Sequence, residues 1–325
     1  MATIPGSHFL ATAGKPVNVV ETTTGTGLPA PIPGDFNLEV FVGNIANLPP
    51  LTPGYEGFAV LSPNGLEIDL ISGTYAVTDN GTGDDTINAY GTHETISGGS
   101  ANVSLNVFGN GDVANGGGQD TINVSGNADV VHGVGDDSIT VTGHNDQIYA
   151  GTGNDTISIQ SNDDIVYGDS GADTIGVQGA FDAIFGGSAS ETITVSGHDD
   201  TVFAGSGDET ITAVGFNQIV FVGSGNDTVN LTGSDGLVFA GTGNALVNLG
   251  GINQTFVDQP GTYQDTVVGF DKAGGDRIHL TTDTVSNAVA NATPANGGAD
   301  TQITLSDGST ILLKGVTHIN GSFFS

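Results

Sequence analysis

The feature that most constrains this chain is a repeat of about 18 residues that runs from Asn80 to Gly251. Each copy has two halves. The first half reads G-x-G-x-D-T-I-x-V, as in 151–159, and the second reads x-G-x-x-D-x-V-aromatic-small, as in 142–150. Self-similarity at a short fixed period is typical of solenoids, in which each repeat packs only on its neighbours. The repeat therefore predicts a stack of similar turns, each made of short strands.

An acidic position recurs once in each half, and an aliphatic residue follows it two places later. On the side of the first half, called the first side, the position is held by Asp85, Val103, Asp120, Asp137, Asp155, Asp173, Glu191, Glu209, Asp227 and Ala245. On the second side it is held by Glu94, Asp112, Asp129, Asp146, Asp164, Asp182, Asp200, Gln218 and Gly236. Because side chains alternate along a strand, the aliphatic residues are expected to stack inward and their neighbours to point outward.

The first half resembles the glycine-rich nonapeptide of RTX calcium-binding proteins, with close matches at 133–139 and 168–175. The resemblance implies an all-β fold, a right-handed parallel β-roll of about ten 18-residue turns with calcium ions between stacked turns. It assigns the metal to first-side acids and turn glycines, namely Asp85, Asp120, Asp137, Asp155, Asp173, Glu191, Glu209, Asp227, Gly133, Gly135, Gly151, Gly153, Gly168 and Gly171.

Calcium chemistry agrees with that assignment but leaves an alternative open. Calcium takes six to eight oxygen ligands, and glycine turns let main-chain carbonyls face a carboxylate. The longer side chains of Glu191 and Glu209 depart from the family pattern, while Val103 and Ala245 should interrupt the row. The alternative is a metal-free row in which carboxylates cap N–H groups of the turns. On the second side, where glycines are fewer, we expect few or no ions.

The charge balance limits the possible partners. The chain has 36 acidic and 4 basic residues, for a net charge of −32, and no Lys or Arg lies between Lys15 and Lys272. A compact body with this self-repulsion needs bound cations, and it lacks the basic surface that nucleic acid requires. There are no cysteines, and no apolar run is long enough to predict a transmembrane helix.

The regions outside the repeat suggest a cap at each end. We predict an extended arm at 1–34, an N-terminal β cap at 35–79, the roll at 80–251 and a C-terminal capping module at 252–325, with a hairpin turn at Asp307–Gly308. The last region resembles the type I secretion module of RTX proteins. By that resemblance the protein is expected to be extracellular or on the cell surface, and an uncleaved export signal there would explain why no cleavable N-terminal signal is visible.

Two outward rows indicate possible partners. Aromatic residues follow the second-side aliphatic position in six consecutive repeats, at Tyr149, Tyr167, Phe185, Phe203, Phe221 and Phe239. An exposed apolar stripe usually marks an interface, so we predict self-association. Alternatively, N-terminal aromatics such as Phe41 and Tyr55 cover the stripe. On the other face, Thr192, Thr194, Thr210 and Thr212 belong to an array that resembles ice-binding β-solenoids, although Thr is also simply a good strand residue.

The sequence contains no convincing enzymatic constellation. No H-E-x-x-H occurs, and the string around Ser170 lies within the repeat register. We therefore expect a non-enzymatic, secreted calcium-binding structural protein, a subunit of a surface layer, matrix or filament. An adhesin that binds ice or a cell-surface glycan is the alternative, and a secretion carrier for the N-terminal segment is a weaker one.

Overall fold

The computed structural model describes residues 17–22, 28–42, 52–55, 57–61, 67–70, 76–79 and 83–325. The chain divides into two compact units, Met1–Ile157 and Ser158–Ser325. Both are built from short strands, and each strand of a repeat pairs in parallel with the equivalent strand of the next repeat. We call one such turn of the chain a rung.

The first unit contains strands that alternate between two sheets. In chain order they are β1 (Val17–Thr22), β2 (Phe36–Val42), β3 (Gly57–Leu61), β4 (Glu67–Leu70), β5 (Ala76–Asp79), β6 (Thr86–Ala89), β7 (Thr95–Ser97), β8 (Ser104–Val107), β9 (Val113–Asn115), β10 (Thr121–Val124), β11 (Val130–His132), β12 (Ser138–Val141), β13 (Gln147–Tyr149) and β14 (Thr156–Gln160), which ends in the second unit. Strands β1, β2, β3 and then every odd strand to β13 form one sheet; β4 to β12, by even numbers, belong to the other.

The second unit continues the same alternation and adds a C-terminal hairpin. Its elements are β15 (Ile165–Tyr167), β16 (Thr174–Ala180), β17 (Ala183–Gly187), β18 (Thr192–His198), β19 (Thr201–Gly205), β20 (Thr210–Phe216), β21 (Ile219–Phe221), β22 (Asn226–Ser234), β23 (Leu237–Phe239), β24 (Asn244–Ile252), β25 (Thr255–Val257), β26 (Gln264–Val268), β27 (Arg277–His279), α1 (Val285–Ala290), β28 (Ala292–Ala295), β29 (Asp300–Thr304) and β30 (Thr310–Leu313). Short 3-10 turns lie at Asn296–Gly298 and Gly321–Phe323.

The interior consists of aliphatic side chains in register from rung to rung. Ile122 of β10 lies beside Ile139 of β12, and neither is exposed to solvent. Their neighbours Thr121 and Ser138 point outward and are exposed. Fully burying such an aliphatic side chain contributes about 1.5–3 kcal/mol, so each rung is stabilised mainly by stacking on the next. The predicted inward and outward alternation is confirmed.

The all-β parallel solenoid is confirmed, but the structure has about 12 turns instead of about ten. Strands β2, β3 and β5 pair in parallel before Asn80, and β25 and β27 do so after Gly251. The repeat did not predict these rungs because their turns differ in length. Ala245 and its hydrogen-bond partner Asp265 are 20 residues apart, and Gln254 and Asp276 are 22 apart.

The C-terminal end contains the predicted hairpin and one helix that the sequence did not predict. Strands β29 and β30 pair antiparallel across a turn in which Gly308 has φ 97°. The polar segment before them contains α1, where the Thr284 hydroxyl accepts the Asn287 N–H. None of the helices in the described ranges is long and apolar enough to cross a membrane. Most of the predicted arm at 1–34 lies outside the described residues.

Candidate metal centre

The first-side acids all point into the interior of their unit. They form what we call the first column, and each is at most 3% exposed: Asp85, Asp120, Asp137 and Asp155 in the first unit, and Asp173, Glu191, Glu209 and Asp227 in the second. Val103 and Ala245 interrupt this column, as predicted. The structure adds Asp265, 4% exposed, one rung after Ala245. Its D-T-V sequence repeats the D-T-I motif, but the longer spacing concealed it.

The second-side acids are buried just as deeply. Together with two glutamines at equivalent positions they form what we call the second column, and each is at most 1% exposed: Glu94, Asp112, Asp129 and Asp146 in the first unit, and Asp164, Asp182, Asp200, Gln218, Gln254 and Asp276 in the second. Gln254 and Asp276 lie beyond the repeat and were not predicted. Each unit therefore holds two internal rows of acidic side chains.

One oxygen of each carboxylate in these columns has a defined role within the stack. The main-chain N–H of Asp120 donates to Asp137 Oδ1 at 2.7 Å, and the N–H of Asp137 donates to Asp155 Oδ1 at 2.6 Å. In the second column, the N–H of Asp112 donates to Asp129 Oδ1 at 2.8 Å. An acid therefore caps the main chain of the preceding rung. This part of the metal-free alternative is present in both columns.

The second oxygen of the carboxylate distinguishes one rung from another. Asp120 Oδ2 accepts the N–H of Gly117 at 2.6 Å, and Asp137 Oδ2 accepts that of Val134 at 2.8 Å. Other second oxygens are buried and have no hydrogen-bond partner among the described residues: Glu191 Oε2, Glu209 Oε2 and Asp227 Oδ2 in the first column, and Glu94 Oε1, Asp112 Oδ2, Asp129 Oδ2 and Asp182 Oδ2 in the second. A buried oxygen without a donor costs free energy unless a proton or cation meets it.

Burial raises the pKa of several carboxyls in the columns. Burial and the neighbouring Asp227 together raise the pKa of Glu209 to about 9. Burial likewise raises the pKa of Glu191 to about 7 and that of Asp129 to about 6. Since no Lys or Arg lies between Lys15 and Lys272, no cationic side chain of the repeat offsets this effect. The charged form of the columns therefore requires a bound cation.

The first-side turns supply the donor set that calcium prefers. A Cβ added at Gly133 would lie 2.5 Å from the Ala150 carbonyl oxygen and 2.6 Å from Asp137 Oδ2. The corresponding distances at Gly186 are 2.1 Å to Ala204 O and 3.3 Å to Glu191 Oε2. A main-chain oxygen and a carboxylate oxygen thus face the same small space. All donors there are hard oxygens, so these residues fit calcium.

The remaining predicted turn glycines have backbone conformations or positions that suit such turns. Gly135, Gly151 and Gly153 have φ of 122°, 90° and 140°, a region that side chains rarely adopt. Gly168 approaches the Gly186 carbonyl, and Gly171 is buried in the same turn. No three His, Cys, Asp or Glu side chains within the described residues are close enough together to hold a metal. Main-chain oxygens would therefore have to complete any site.

The predicted aromatic row exists and its rings are stacked. In the second unit the ring centroids of Tyr167, Phe185, Phe203, Phe221 and Phe239 follow one another at 4.9, 4.8, 4.8 and 4.4 Å. The spacing equals that of neighbouring strands, because each ring occupies the same position of its rung. In the first unit Tyr149 stacks on His132 at 4.8 Å. The rings cover one another's faces and direct their edges outward, and Phe203 is 36% exposed.

The threonine row also lies on an outward face. In the second unit Thr174, Thr192, Thr210 and Thr228 are partners in consecutive rungs, and Thr194 is a partner of Thr212. The array is incomplete, because Gly176 and Asn230 occupy the second position in the flanking rungs. Two rungs therefore carry a full Thr-x-Thr pair.

The comparisons with known proteins agree with this geometry. The RTX calcium-binding nonapeptide repeat family, in its four-copy form, matches residues 81–105, 133–157 and 142–175. Residues 81–105 and 133–175 therefore contain RTX-type repeats. These RTX repeats are calcium-binding motifs, and the matched ranges contain Asp85, Asp137, Asp155 and Asp173 of the first column. A protein family of unknown function, DUF3060, matches 188–235, and no curated protein matches the chain.

Proposed function

We propose that this RTX-type protein is a calcium-stabilised structural subunit that works outside the cell and self-associates. One observation carries the proposal: each unit holds two buried rows of carboxylates in a chain of net charge −32. Burying unpaired charges opposes folding by several kcal/mol per ion. Cations bound in the first-side turns offset that cost, so calcium and folding are coupled. The proposed role is non-enzymatic.

Calcium dependence is tested by far-UV circular dichroism of the full chain. In a chelator at neutral pH we expect a weaker β signal and a lower unfolding temperature, and millimolar calcium should restore both with a steep concentration dependence. Magnesium serves as the control, because it demands a smaller octahedral site and keeps its waters. A fully folded chain in chelator, with the same unfolding temperature as in calcium, would contradict the proposal.

The aromatic row supports self-association. Beside Phe221 and Phe239 lies a groove of about 470 Å³, floored by Gly205, Gly223 and Gly241. Ring edges beside these glycines, with Ser224, Thr242 and Gln259 also in the lining, form a surface that a second copy can cover. The alternative, coverage by N-terminal aromatics, remains open. Phe41 is 2% exposed and Tyr55 donates its hydroxyl to Pro29 O, so both already have partners near the N-terminus.

Self-association is tested by sedimentation and electron microscopy of the protein in millimolar calcium. Phe203→Ser should reduce the assembled fraction at least tenfold, because Phe203 is the most exposed ring of the row. Phe216→Ser is the matched control, since Phe216 is 51% exposed but lies outside the row. Strictly monomeric particles of the unchanged protein would exclude the assembly role while leaving calcium binding untouched.

Export is the part of the proposal that follows from the family resemblance of residues 252–325. In a cell with low calcium the chain would remain loose, and it would fold after export. We expect the full chain, expressed together with a type I export apparatus, to be recovered from the medium. A chain that lacks 252–325 should remain inside. Equal export of both chains would rule out the C-terminal signal.

The Thr face supports a second candidate function, binding of ice or of a repetitive glycan. The supporting observation is the outward alignment of Thr192 and Thr194 with Thr210 and Thr212. Thermal hysteresis and glycan-array binding would test it. Substituting Val for Thr192 and Thr194 should abolish binding and preserve the fold, because Val also suits a strand. Activity that survives both substitutions would exclude this face.

A further inference from the structure

The last rung of the first column differs from the rungs of the repeat at a position that is small or aliphatic in them; Asp79, before the repeat, is an acid at the equivalent place. Immediately after the outward aromatic position comes an inward residue, which is Gly133, Ala150, Gly168, Gly186, Ala204, Val222 and Ala240 in successive rungs. Since Phe239 pairs with Val257, the next residue in this series is Asp258. An acid therefore stands where every rung of the repeat has a small or aliphatic residue.

The inward position that Asp258 occupies faces the first-column carboxylate of the same rung. The Cβ positions of Gly133, Gly168 and Gly186 lie 2.6, 3.0 and 3.3 Å from the second oxygens of Asp137, Asp173 and Glu191. In the last rung the corresponding acid is Asp265, which is 4% exposed and accepts the Ala245 N–H at 2.9 Å. A side chain at 258 therefore projects toward Asp265. Consistent with this, burial raises the pKa of Asp265 to about 7, and the charge of Asp258 adds to that shift.

Asp258 itself lacks a partner for one oxygen. It is 1% exposed, and its Oδ2 accepts no hydrogen bond. Burial raises the pKa of Asp258 to about 6, with further contributions from the charges of Asp307 and Asp283. Within the repeat, neighbouring acids of the first column are one rung apart, whereas here two carboxyls lie on the first side of one rung. Such a pair needs a cation or a shared proton.

The basic residues of this region are occupied elsewhere. Lys314 Nζ lies 3.3 Å from Asp300 Oδ2, and Lys272 Nζ lies 5.7 Å from the centroid of the Phe323 ring. Arg277 Nη1 donates to the carbonyl oxygen of Asp276 at 2.7 Å. They are the three cations in the described ranges, since the fourth, Lys15, lies outside these ranges. An external cation is therefore the remaining source of positive charge.

We propose that Asp258 and Asp265 bind one divalent cation, with the preference for oxygen ligands that calcium has, at the C-terminal end of the second unit. This site lies outside the matched nonapeptide repeats and differs from them in using two carboxylates of one rung. Main-chain carbonyls and water supply its other oxygens.

The ion would fix the C-terminal hairpin to the last rungs. Asp307 lies in the β29–β30 turn and accepts the N–H of Gly261 at 2.9 Å. Gly261 is three residues after Asp258. The Thr281 hydroxyl donates to the Asp258 carbonyl oxygen at 2.9 Å. Asp283 accepts the Ser306 N–H at 2.9 Å. Neutralising Asp258 and Asp265 removes the repulsion among the acids of these three loops, so cation binding should hold them together.

The test uses Asp258→Ala, because the equivalent residue of the preceding rung is Ala240 and alanine therefore fits this position. Calorimetric calcium titration of the full chain should show one ion fewer than the unchanged protein. Affinity at the remaining sites should change less than twofold. Hydrogen exchange at 300–313 should lose its calcium-dependent protection, while exchange in β18 and β20 keeps it. Asp235→Asn, which removes one exposed charge, is the control and should lose no ion.

The outcomes separate this inference from the proposed function. If Asp258→Ala binds as many ions as the unchanged protein, or leaves hairpin exchange unaltered, the inference is overturned even though the repeats bind calcium. If the repeats bind no calcium, the loss of a single ion on substitution of Asp258 still supports the site at Asp258 and Asp265. Should Asp258→Ala fail to fold, the isosteric Asp258→Asn is titrated instead, and an unchanged ion count there refutes the site.

Discussion

The two columns are equally buried, but they tolerate different replacements. Where the second column lacks an acid it has Gln218, Gly236 and Gln254, and Gln254 Oε1 accepts the Gly236 N–H at 3.0 Å, as a carboxylate would. Where the first column lacks an acid it has Val103 and Ala245, which can neither accept a hydrogen bond nor carry charge. The second column therefore uses one oxygen of an acid to accept a hydrogen bond, a role that a neutral amide fills. The first column uses its charge.

The turns beside the two columns also differ, in which residue types take the left-handed backbone conformation. On the first side, left-handed positions are mostly glycines such as Gly135 and Gly153, which leave main-chain oxygens accessible. On the second side, the residue directly before the acid is left-handed and usually is not glycine, as at Ala128 (φ 60°) and Asn145 (φ 63°). Side-chain donors also reach second-column acids: the Gln218 amide donates to Asp200 Oδ2 at 2.9 Å. The expectation of few ions there stays a prediction.

The most decisive way to break this comparison is to remove one charge from each column. Asp137→Asn should lose about 3 kcal/mol of calcium-dependent stability, the contribution of one site at 100 times its dissociation constant. Asp129→Asn should lose almost none, because Asn keeps an oxygen for the Asp112 N–H. Thermal unfolding in calcium and in chelator measures both. Equal losses in the two variants would contradict the division of roles.

The hydrogen-bonding role of the second column is tested by removing the acceptor oxygen of one of its side chains. Asp129→Ala leaves the buried N–H of Asp112, now bonded at 2.8 Å, without a partner. We expect a loss of about 2 kcal/mol of unfolding free energy in chelator and in calcium alike. Chemical denaturation of Asp129→Ala beside Asp129→Asn isolates the acceptor. A variant as stable as the Asn control would show that the bond contributes nothing.

The electrostatic cost of the second column should appear as a pH dependence in calcium-free solution. Burial raises the pKa of Asp182 to about 7 from 3.8, and the charges of Asp200 and Asp164 add to the effect. The folded state then binds a proton that the unfolded state releases, so stability is full below pH 3.8 and falls as pH rises through 7.

Asp182→Asn does not titrate and tests that cost directly. The fall in its unfolding free energy between pH 4 and 8 should be smaller than that of the unchanged protein by on the order of 1–2 kcal/mol, since one pK unit corresponds to about 1.4 kcal/mol. The two proteins should be nearly equal at pH 4. Parallel pH profiles would show that Asp182 titrates normally in the fold.

The smallest expected effect concerns the second-side turn. Ala128 adopts φ 60°, where its Cβ is strained, so Ala128→Gly should stabilise the protein by about 0.5–1 kcal/mol. Asn145→Gly is the matched substitution, and it should gain less because Asn tolerates this conformation better. Denaturation midpoints compare the two variants. A loss of stability in Ala128→Gly would mean that glycine's greater freedom in the unfolded chain outweighs the relieved strain.

The sequence was most informative where its period was regular. Each predicted first-side acid, from Asp85 to Asp227, is indeed inward, because a side chain two places before a buried Ile or Val must share its face. Asp265 and Asp276 were missed because the turns before them are longer than those of the repeat, with spacings of 20 and 22 residues, whereas Asp258 keeps the register of Ala240 but puts an acid where the repeat has a small residue. Residue spacing records the position along a rung only while the turn length is constant.

Partners of individual atoms could not be predicted from the pattern. The repeat gives Asp120 and Asp227 the same place, yet Asp120 Oδ2 accepts the Gly117 N–H while Asp227 Oδ2 has no partner. Such differences depend on turn conformation at the level of single dihedral angles. The stacking of Phe203 on Phe221 could be anticipated, since equivalent positions lie one strand spacing apart.

Rungs of unequal length leave the strands undisturbed. Asp120 and Asp137 are 17 residues apart and Asp137 and Asp155 are 18, yet both pairs make the same hydrogen bond. The surplus residue is taken up in the first-side turn, which runs from 133 to 137 in one rung and from 150 to 155 in the next. A one-residue insertion inside a strand would turn the following side chains to the wrong face. The glycine-rich turns thus absorb differences in repeat length. An ancestral array could therefore grow by duplication of whole repeats even when the copies differed in length by one residue.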